Sequence, residues 1–402
     1  MPKQVLVTGL GIVSGIGISV QETLASLLTG KSGVGVLKYL QTNHKDIPCS
    51  EVQLSDVQMR TMLSIPDSVP MNRTSLLGIL AAKSALANAN ITPNKALRIG
   101  FISGTTVGGM EKSEQYYKDF LENDTRNEYI KIHDCGACTE IIADYFGGFS
   151  YVSTISTACS SAANAITLGS NLIKQGILDC VVAGGTECLT KFHLNGFKTL
   201  MILDKVQCRP FDATRAGLNL GEGAAYIVLE SEESVKSRNA KVLCKVSGYG
   251  NACDAYHQTA SSPDGKGAAL AMQAALDMSG LIPSDIDYIN AHGTGTTNND
   301  ESEGVAIMNV FGNTIPPVSS TKAFTGHTTS ASGGVEAVIS ILAMQEGFLP
   351  PNLNFKNQIE KLSFAPVSKL RRNVKIDHVM SNSFGFGGNN SAIIFSKLQE
   401  IK

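Results

Sequence analysis

Short β-branched runs that stop at glycine or small-residue clusters recur along this chain and alternate with helical patterns, which limits the fold more than any other feature. The first series is "VLVTGLG", "IGFISGTTVGG", "YVSTISTA", "CVVAGGTE" and "AAYIVLE". After the charged segment "ESEESVKSRNAK" (230–241) it restarts with "VLCKVSGYG", "IDYINAHGTGT", "PPVSSTKAFTGH", "HVMSNSFGFGG" and "SAIIFS". Between the runs lie "SLLGILAAKSALANAN", "GAALAMQAALDMSG" and "GGVEAVISILAMQEG", whose apolar positions recur about every 3.6 residues. Strand alternating with helix predicts layered α/β with buried sheets. The restart predicts two duplicated halves, 1–240 and 241–402, sharing a broad interface because no Pro- or Ser-rich linker parts them.

With 402 residues, 43% of them hydrophobic, the chain can bury one large or two medium cores. Its 33 Lys and Arg against 35 Asp and Glu leave a formal charge of -2, too little positive field to hold nucleic acid. The start "MPKQVLVTGLGIVSGIGISV" has no long basic flank and no small-residue cleavage pattern. No segment offers roughly 18 uninterrupted apolar residues. A cytoplasmic protein is expected, with neither a membrane nor nucleic acid as partner. Nine cysteines without a repeating spacing fit reduced thiols.

Two motifs are tempting and incomplete. "GLGIVSG" resembles a dinucleotide fingerprint, but Ser14 holds the sixth position and no acidic residue stands near position 30, so the glycines are read as a tight strand-to-helix turn. "HDCGAC" contains His133, Cys135 and Cys138 without a second ligand pair at similar spacing, and reads as packed thiols at a helix start rather than a metal site.

Cys159, in "STISTACSSAANAITLGSNLIKQG", is different. "YVSTISTA" reads as a buried strand, and the following residues as a helix ending at Lys174 and Gly176. The thiol thus stands at a helix N-terminus, where dipole and free N–H groups favour the thiolate. Its neighbours are small enough to admit a substrate and to bring amides to an oxyanion. In the second half, strand ends carry His292 in "NAHGTGT", Lys322 and His327 in "SSTKAFTGH", and the glycines of "NSFGFGGNN". A positioned cysteine with two such histidines and a lysine suits acyl transfer.

These segments, with "RPFD" and "GEGAA", resemble the β-ketoacyl-acyl carrier protein synthases of the thiolase superfamily, in an ordered set that covers nearly the whole chain. The resemblance implies a thiolase-like fold, two α/β halves in a five-layer αβαβα arrangement. It implies that Cys159 accepts the acyl chain, that His292 and His327 form the decarboxylation site, and that Lys322 and Glu336 support them. It further implies an oxyanion hole from the N–H groups of Cys159 and Phe386, with Gly387 allowing close approach. Thr294 and Thr296 match positions that bond the pantetheine arm; Phe386 and Phe197 match the acyl gate; Val107 matches a pocket end that the neighbouring subunit often completes, implying a homodimer. Acyl carrier protein is the implied partner, its phosphopantetheine a substrate carrier; no permanently bound cofactor or metal is implied. Thiolases running the reverse chemistry use a later cysteine, and none follows Cys253.

The chain departs from the common pattern in places. "GHTTSASGG" stands where "GHLLGAAGA" is usual, placing Thr328 and Thr329 beside the site, and the usual "RDGFV" becomes Arg215, Ala216, Gly217, Leu218 and Asn219. The expected docking face has Arg73 available, with Arg126 and Lys131 as possible additions. Fatty-acid elongation is the first reading. Alternatives are a polyketide or aryl-polyene ketosynthase, or a weakly active partner in a heterodimer with a paralogue.

Overall fold

The computed structural model describes residues 3–94 and 97–398. Ten strands follow the runs read above: β1 (Val5–Ser14), β2 (Ile99–Gly104), β3 (Tyr151–Ile155), β4 (Cys180–Glu187), β5 (Gly223–Ser231), β6 (Cys244–Cys253), β7 (Tyr288–Asn290), β8 (Val318–Ser319), β9 (His378–Gly385) and β10 (Asn389–Ser396). They lie side by side as β8-β7-β9-β10-β6-β1-β5-β4-β2-β3. Counted outward from the centre, each half runs first, fifth, fourth, second, third. Strand directions repeat too: β5 is antiparallel to β1 and β4, and β2 is parallel to β4 and β3. In the second half β10 is antiparallel to β6 and β9, and β7 is parallel to β9 and β8. The halves join where Val5–Val7 of β1 pair with Cys244–Val246 of β6.

Four of the helices in the remaining layers position the site. α1 (Arg73–Ala89) covers the outer face of β1, β5 and β4, and α3 (Lys266–Ser279) covers β6 and β10. Between the halves lie α2 (Ser161–Lys174) and α4 (Ser332–Glu346), which touch each other and strands of both halves. Every residue of α4 from Ser332 to Met344 is buried, as a helix enclosed between the two halves of the sheet requires. This is the expected αβαβα arrangement. Among the described residues no helix is long and apolar enough to cross a membrane.

Two expectations are corrected. Gly9 and Gly11 lie inside β1, not in a turn. A Cβ at Gly11 would fall 2.0 Å from the backbone oxygen of Ala81, and one at Gly9 2.4 Å from that of Ala85. These glycines let α1 lie directly on the strand. Gly11→Ala is therefore expected to destabilise the fold by about 1–3 kcal/mol or more, read as a lower urea midpoint. An unchanged midpoint would contradict this packing. "YVSTISTA" is not a buried strand either: β3 closes one end of the sheet, and Val152 is 41% exposed. Its β-branched residues signal a strand without distinguishing centre from edge.

Candidate active site

Cys159 sits in the elbow between β3 and α2, one residue before the N-cap Ser160. Ala158 has φ of +51°, a conformation unfavourable to any residue with a Cβ. Ser161 holds it there: its Oγ accepts from the Thr157 N–H at 2.9 Å and donates to the Ala158 carbonyl at 2.6 Å. α2 ends as read, with Gly176 in the left-handed region.

The second half brings its groups to the same point. His327 Nε2 lies 3.1 Å from Cys159 Sγ, although 168 residues separate them. The His292 ring packs edge-on to that of His327, centroids 5.3 Å apart. Behind His292, Lys322 Nζ lies 3.1 Å from Nδ1 and 2.5 Å from the His292 carbonyl, and it pairs with Glu336 on α4. The Phe386 N–H points at the Cys159 sulfur. All five residues named as catalytic are buried and in one cluster. The sulfur and the two ring nitrogens lie within 4.8 Å of one another, the one group among the described residues with the donor set for a metal ion.

A cavity of about 340 Å³ opens onto Cys159, His292 and His327 and is lined further by Thr294, Thr296, Phe197 and Phe386. Phe197 and Phe386 stack with centroids 5.8 Å apart. Val107 is not brought to this cavity: it packs in the first-half core and its N–H donates to Glu187. Gly387 is exposed outside the cavity, its N–H bonded to the Gln258 carbonyl at 2.8 Å, and Gly388 takes the lining position.

Burial decides the electrostatics. It pushes the Cys159 thiol up to about 11, against the pull of Lys322 and the Phe386 N–H. The resting sulfur is therefore a thiol, contrary to the thiolate expected from a helix N-terminus alone. Burial, then the charge of Lys322, hold both histidines well below the ordinary imidazole range, so both are neutral. Lys322 can only donate, so it fixes His292 with its proton on Nε2, facing the cavity. Because the thiolate is the reactive species, alkylation of Cys159 by iodoacetamide should rise steadily with pH from 7 towards 10. A plateau near pH 7 would contradict a raised thiol.

Three positions the sequence reading missed complete the site. Glu303 accepts from the N–H groups of His292 at 2.8 Å and Gly293 at 2.7 Å, fixing the loop, and burial raises it to about 7. Glu187 ties Thr105, Thr106 and Val107 to Thr329 and Ser330, so the unusual hydroxyls of "TTSASGG" have a buried acceptor. Ser332 lies 2.9 Å from His327 Nδ1. A lone Ser or Glu carries no local signal of such a partner; only the departure from an apolar pattern hinted at Ser330 and Ser332. Arg73 is corrected: it is 6% exposed and paired with Glu222 at 2.6 Å and Asp56 at 2.9 Å, so it braces the interior rather than a docking face.

Two equivalent α/β halves that supply a cysteine from one side and two histidines from the other define a thiolase-like condensing enzyme. Sequence models of the beta-ketoacyl synthase N-terminal and C-terminal domains match residues 2–234 and 243–356. The chain belongs to the beta-ketoacyl synthase family and is an acyltransferase. It is 33% identical over 410 residues to 3-oxoacyl-[acyl-carrier-protein] synthase 2 of Staphylococcus aureus (strain COL), covering 99% of each chain. It is 34% identical over 412 residues to the synthase of that name from Synechocystis sp. (strain ATCC 27184 / PCC 6803 / Kazusa), again covering 99% of each. Among solved structures it resembles the ishigamide ketosynthase/chain length factor, with TM-score 0.92, 29% identity and coverage of 99% of this chain and 100% of that one. It also resembles the ketosynthase ApeO in complex with its chain length factor ApeC from Xenorhabdus doucetiae, with TM-score 0.83, 30% identity and coverage of 98% of both.

Proposed function

We propose that this chain is a 3-oxoacyl-acyl carrier protein synthase of fatty-acid biosynthesis, extending an acyl chain by two carbons through decarboxylative Claisen condensation. The observation that carries this reading is the 3.1 Å contact between Cys159 Sγ and His327 Nε2, with His292 beside it and a cavity leading to all three.

In the first half-reaction the Cys159 sulfur attacks the thioester of an acyl-phosphopantetheine. The oxyanion is held by the N–H groups of Cys159 and Phe386, and the carrier leaves, so the kinetics are ping-pong. In the second, a malonyl thioester loses carbon dioxide. Charge gathers on its carbonyl oxygen, and Nε2–H donors of His292 and His327 aimed at that oxygen stabilise the transition state more than the ground state. The carbanion attacks the acyl-Cys159 carbonyl, the carbon–sulfur bond to Cys159 breaks, and the 3-oxoacyl product leaves on its carrier while the freed sulfur takes a proton from solvent. Lys322 and Glu336 orient and do not react. Thr294 and Thr296, whose hydroxyls lie 2.9 Å apart on the cavity wall, hold the pantetheine arm. The Phe197–Phe386 stack gates the acyl chain. Val107, which lies outside this cavity, limits the acyl pocket of the neighbouring subunit.

Acyl carrier protein is the proposed partner, its phosphopantetheine arriving as substrate; the names of the curated relatives support this. The exposed edge strand β3 favours a homodimer, because an open edge invites pairing. Nine free cysteines suit the cytoplasm. A second reading is a polyketide or aryl-polyene ketosynthase, acting alone or as one subunit of a heterodimer, and likeness to ketosynthase and chain-length-factor structures favours it. Mass spectrometry with saturated and polyunsaturated acyl-carrier thioesters, followed by malonyl-carrier, separates the two. A saturated adduct on the Cys159 peptide that vanishes as 3-oxoacyl product appears is expected; a polyenoyl preference selects the second reading, and no adduct with any donor rejects both.

A further inference from the structure

Ser332 is the first residue of α4 and is 2% exposed. Its Oγ lies 2.9 Å from His327 Nδ1, with Thr328 Oγ1 3.4 Å beyond. One helical turn later, Glu336 holds Lys322 against His292 Nδ1. The same helix face thus addresses the rear nitrogen of both imidazoles, with different chemistry. An ammonium only donates, whereas a hydroxyl donates or accepts. His292 is confined to one tautomer; His327 is not.

We infer that Ser332 is a positioning residue whose two-way hydrogen bond to Nδ1 lets His327 serve as base in the first half-reaction and as donor in the second. The inference rests on the acyl-transfer reading above. In the first half-reaction Ser332 accepts from Nδ1–H, and the free Nε2 takes the Cys159 S–H proton across 3.1 Å. The sulfur electron pair bonds to the acyl carbon, the oxyanion collapses, and the carbon–sulfur bond to pantetheine breaks. The imidazolium returns its Nε2 proton to the departing sulfur, so no net proton is gained or lost. While the carriers exchange, the neutral ring trades its proton with water. In the second half-reaction Ser332 donates to Nδ1, and Nε2–H holds the malonyl oxygen. The other titratable groups around the ring are Cys159, His292 and Lys322, with His193 from the helix Lys191–Thr199 and Glu187 at the end of β4 beyond it. Ser332 is the group that meets Nδ1.

The test compares wild type, Ser332→Ala and Ser332→Thr by rapid-quench acylation of Cys159 across pH, by malonyl-carrier decarboxylation, and by ¹⁵N shifts of the His327 ring. Ser332→Ala should slow acylation about tenfold at pH 7, with the deficit shrinking at alkaline pH as the thiolate forms unaided. Decarboxylation, which needs only the Nε2–H form, should fall less than about threefold, and Ser332→Thr should restore acylation to within about threefold. Wild-type acylation by Ser332→Ala with an unchanged pH profile overturns the inference. So does an equal fall of both half-reactions without rescue by threonine, which marks a merely structural residue. If the wild type itself forms no adduct, the acyl-transfer reading fails instead, and the spectrum still decides: an Nδ1 shift unmoved by Ser332→Ala rejects the hydrogen bond.

Discussion

Cys159→Ala is expected to lower condensation by at least about 10⁴-fold, the scale on which loss of a covalent nucleophile acts. Decarboxylation of a malonyl thioester should stay within about tenfold of wild type, since its donors are His292 and His327, which the other half holds through Lys322, Glu303 and Ser332. Rapid-quench measurement of 3-oxoacyl product beside released carbon dioxide separates the two rates. Residual condensation above about a thousandth of wild type would mean that the acyl group resides elsewhere.

Lys322→Ala should be the most damaging change away from the nucleophile. Its ammonium is 1% exposed and is the partner of a carboxylate that is 2% exposed. Breaking such a pair from one side typically costs about 3–5 kcal/mol. Burial already raises Glu336 to about 7, against the pull of Lys322; without the lysine it rises further. A carboxyl whose folded value exceeds its unfolded one is most favourable to the fold below the unfolded value, and its contribution falls as pH climbs towards the folded value. The stability deficit of the variant should therefore be largest above pH 7 and shrink towards pH 4.5, visible in urea midpoints across that range. Decarboxylation should fall about 10²–10³-fold because His292 loses the donor that fixes its tautomer. A variant as stable as wild type at pH 8 would show that Glu336 has another partner.

The periods of the chain made its layers legible. Every run read as a strand is one, and α1, α3 and α4 begin and end within two residues of their patterns, because both periodicities are local properties. Position within the sheet is not local. Nothing in "YVSTISTA" distinguishes an edge strand from a central one, and the glycines of "VLVTGLG" are equally compatible with a turn and with contact against α1. The same limit governs the site. Cys159, His292, His327 and Lys322 stand in recognisable surroundings, whereas Glu303, Glu187 and Ser332 are ordinary residues made important by partners far away in sequence. Arg73 lies in a polar stretch, and only the fold shows Glu222, 149 positions later, claiming it. The ionisation of Cys159 is hidden for the same reason: a helix start is visible in sequence, and the burial that outweighs it is not.

The contact between Cys159 and His327 across 168 residues also has a consequence in time. A chain made N-terminus first at ~5–20 residues per second spends roughly ten to thirty seconds between the nucleophile and its imidazole. During that interval the first half has its elbow and its thiol, but α4, which lies against β1, β4 and β5, has not yet been made. The newborn sheet waits with its inner face covered by α2 alone and with a sulfur that has no proton acceptor. The imidazole and α4 follow one another within 20 residues, so a chain truncated before His327 lacks both the proton acceptor and the helix that completes the inner layer.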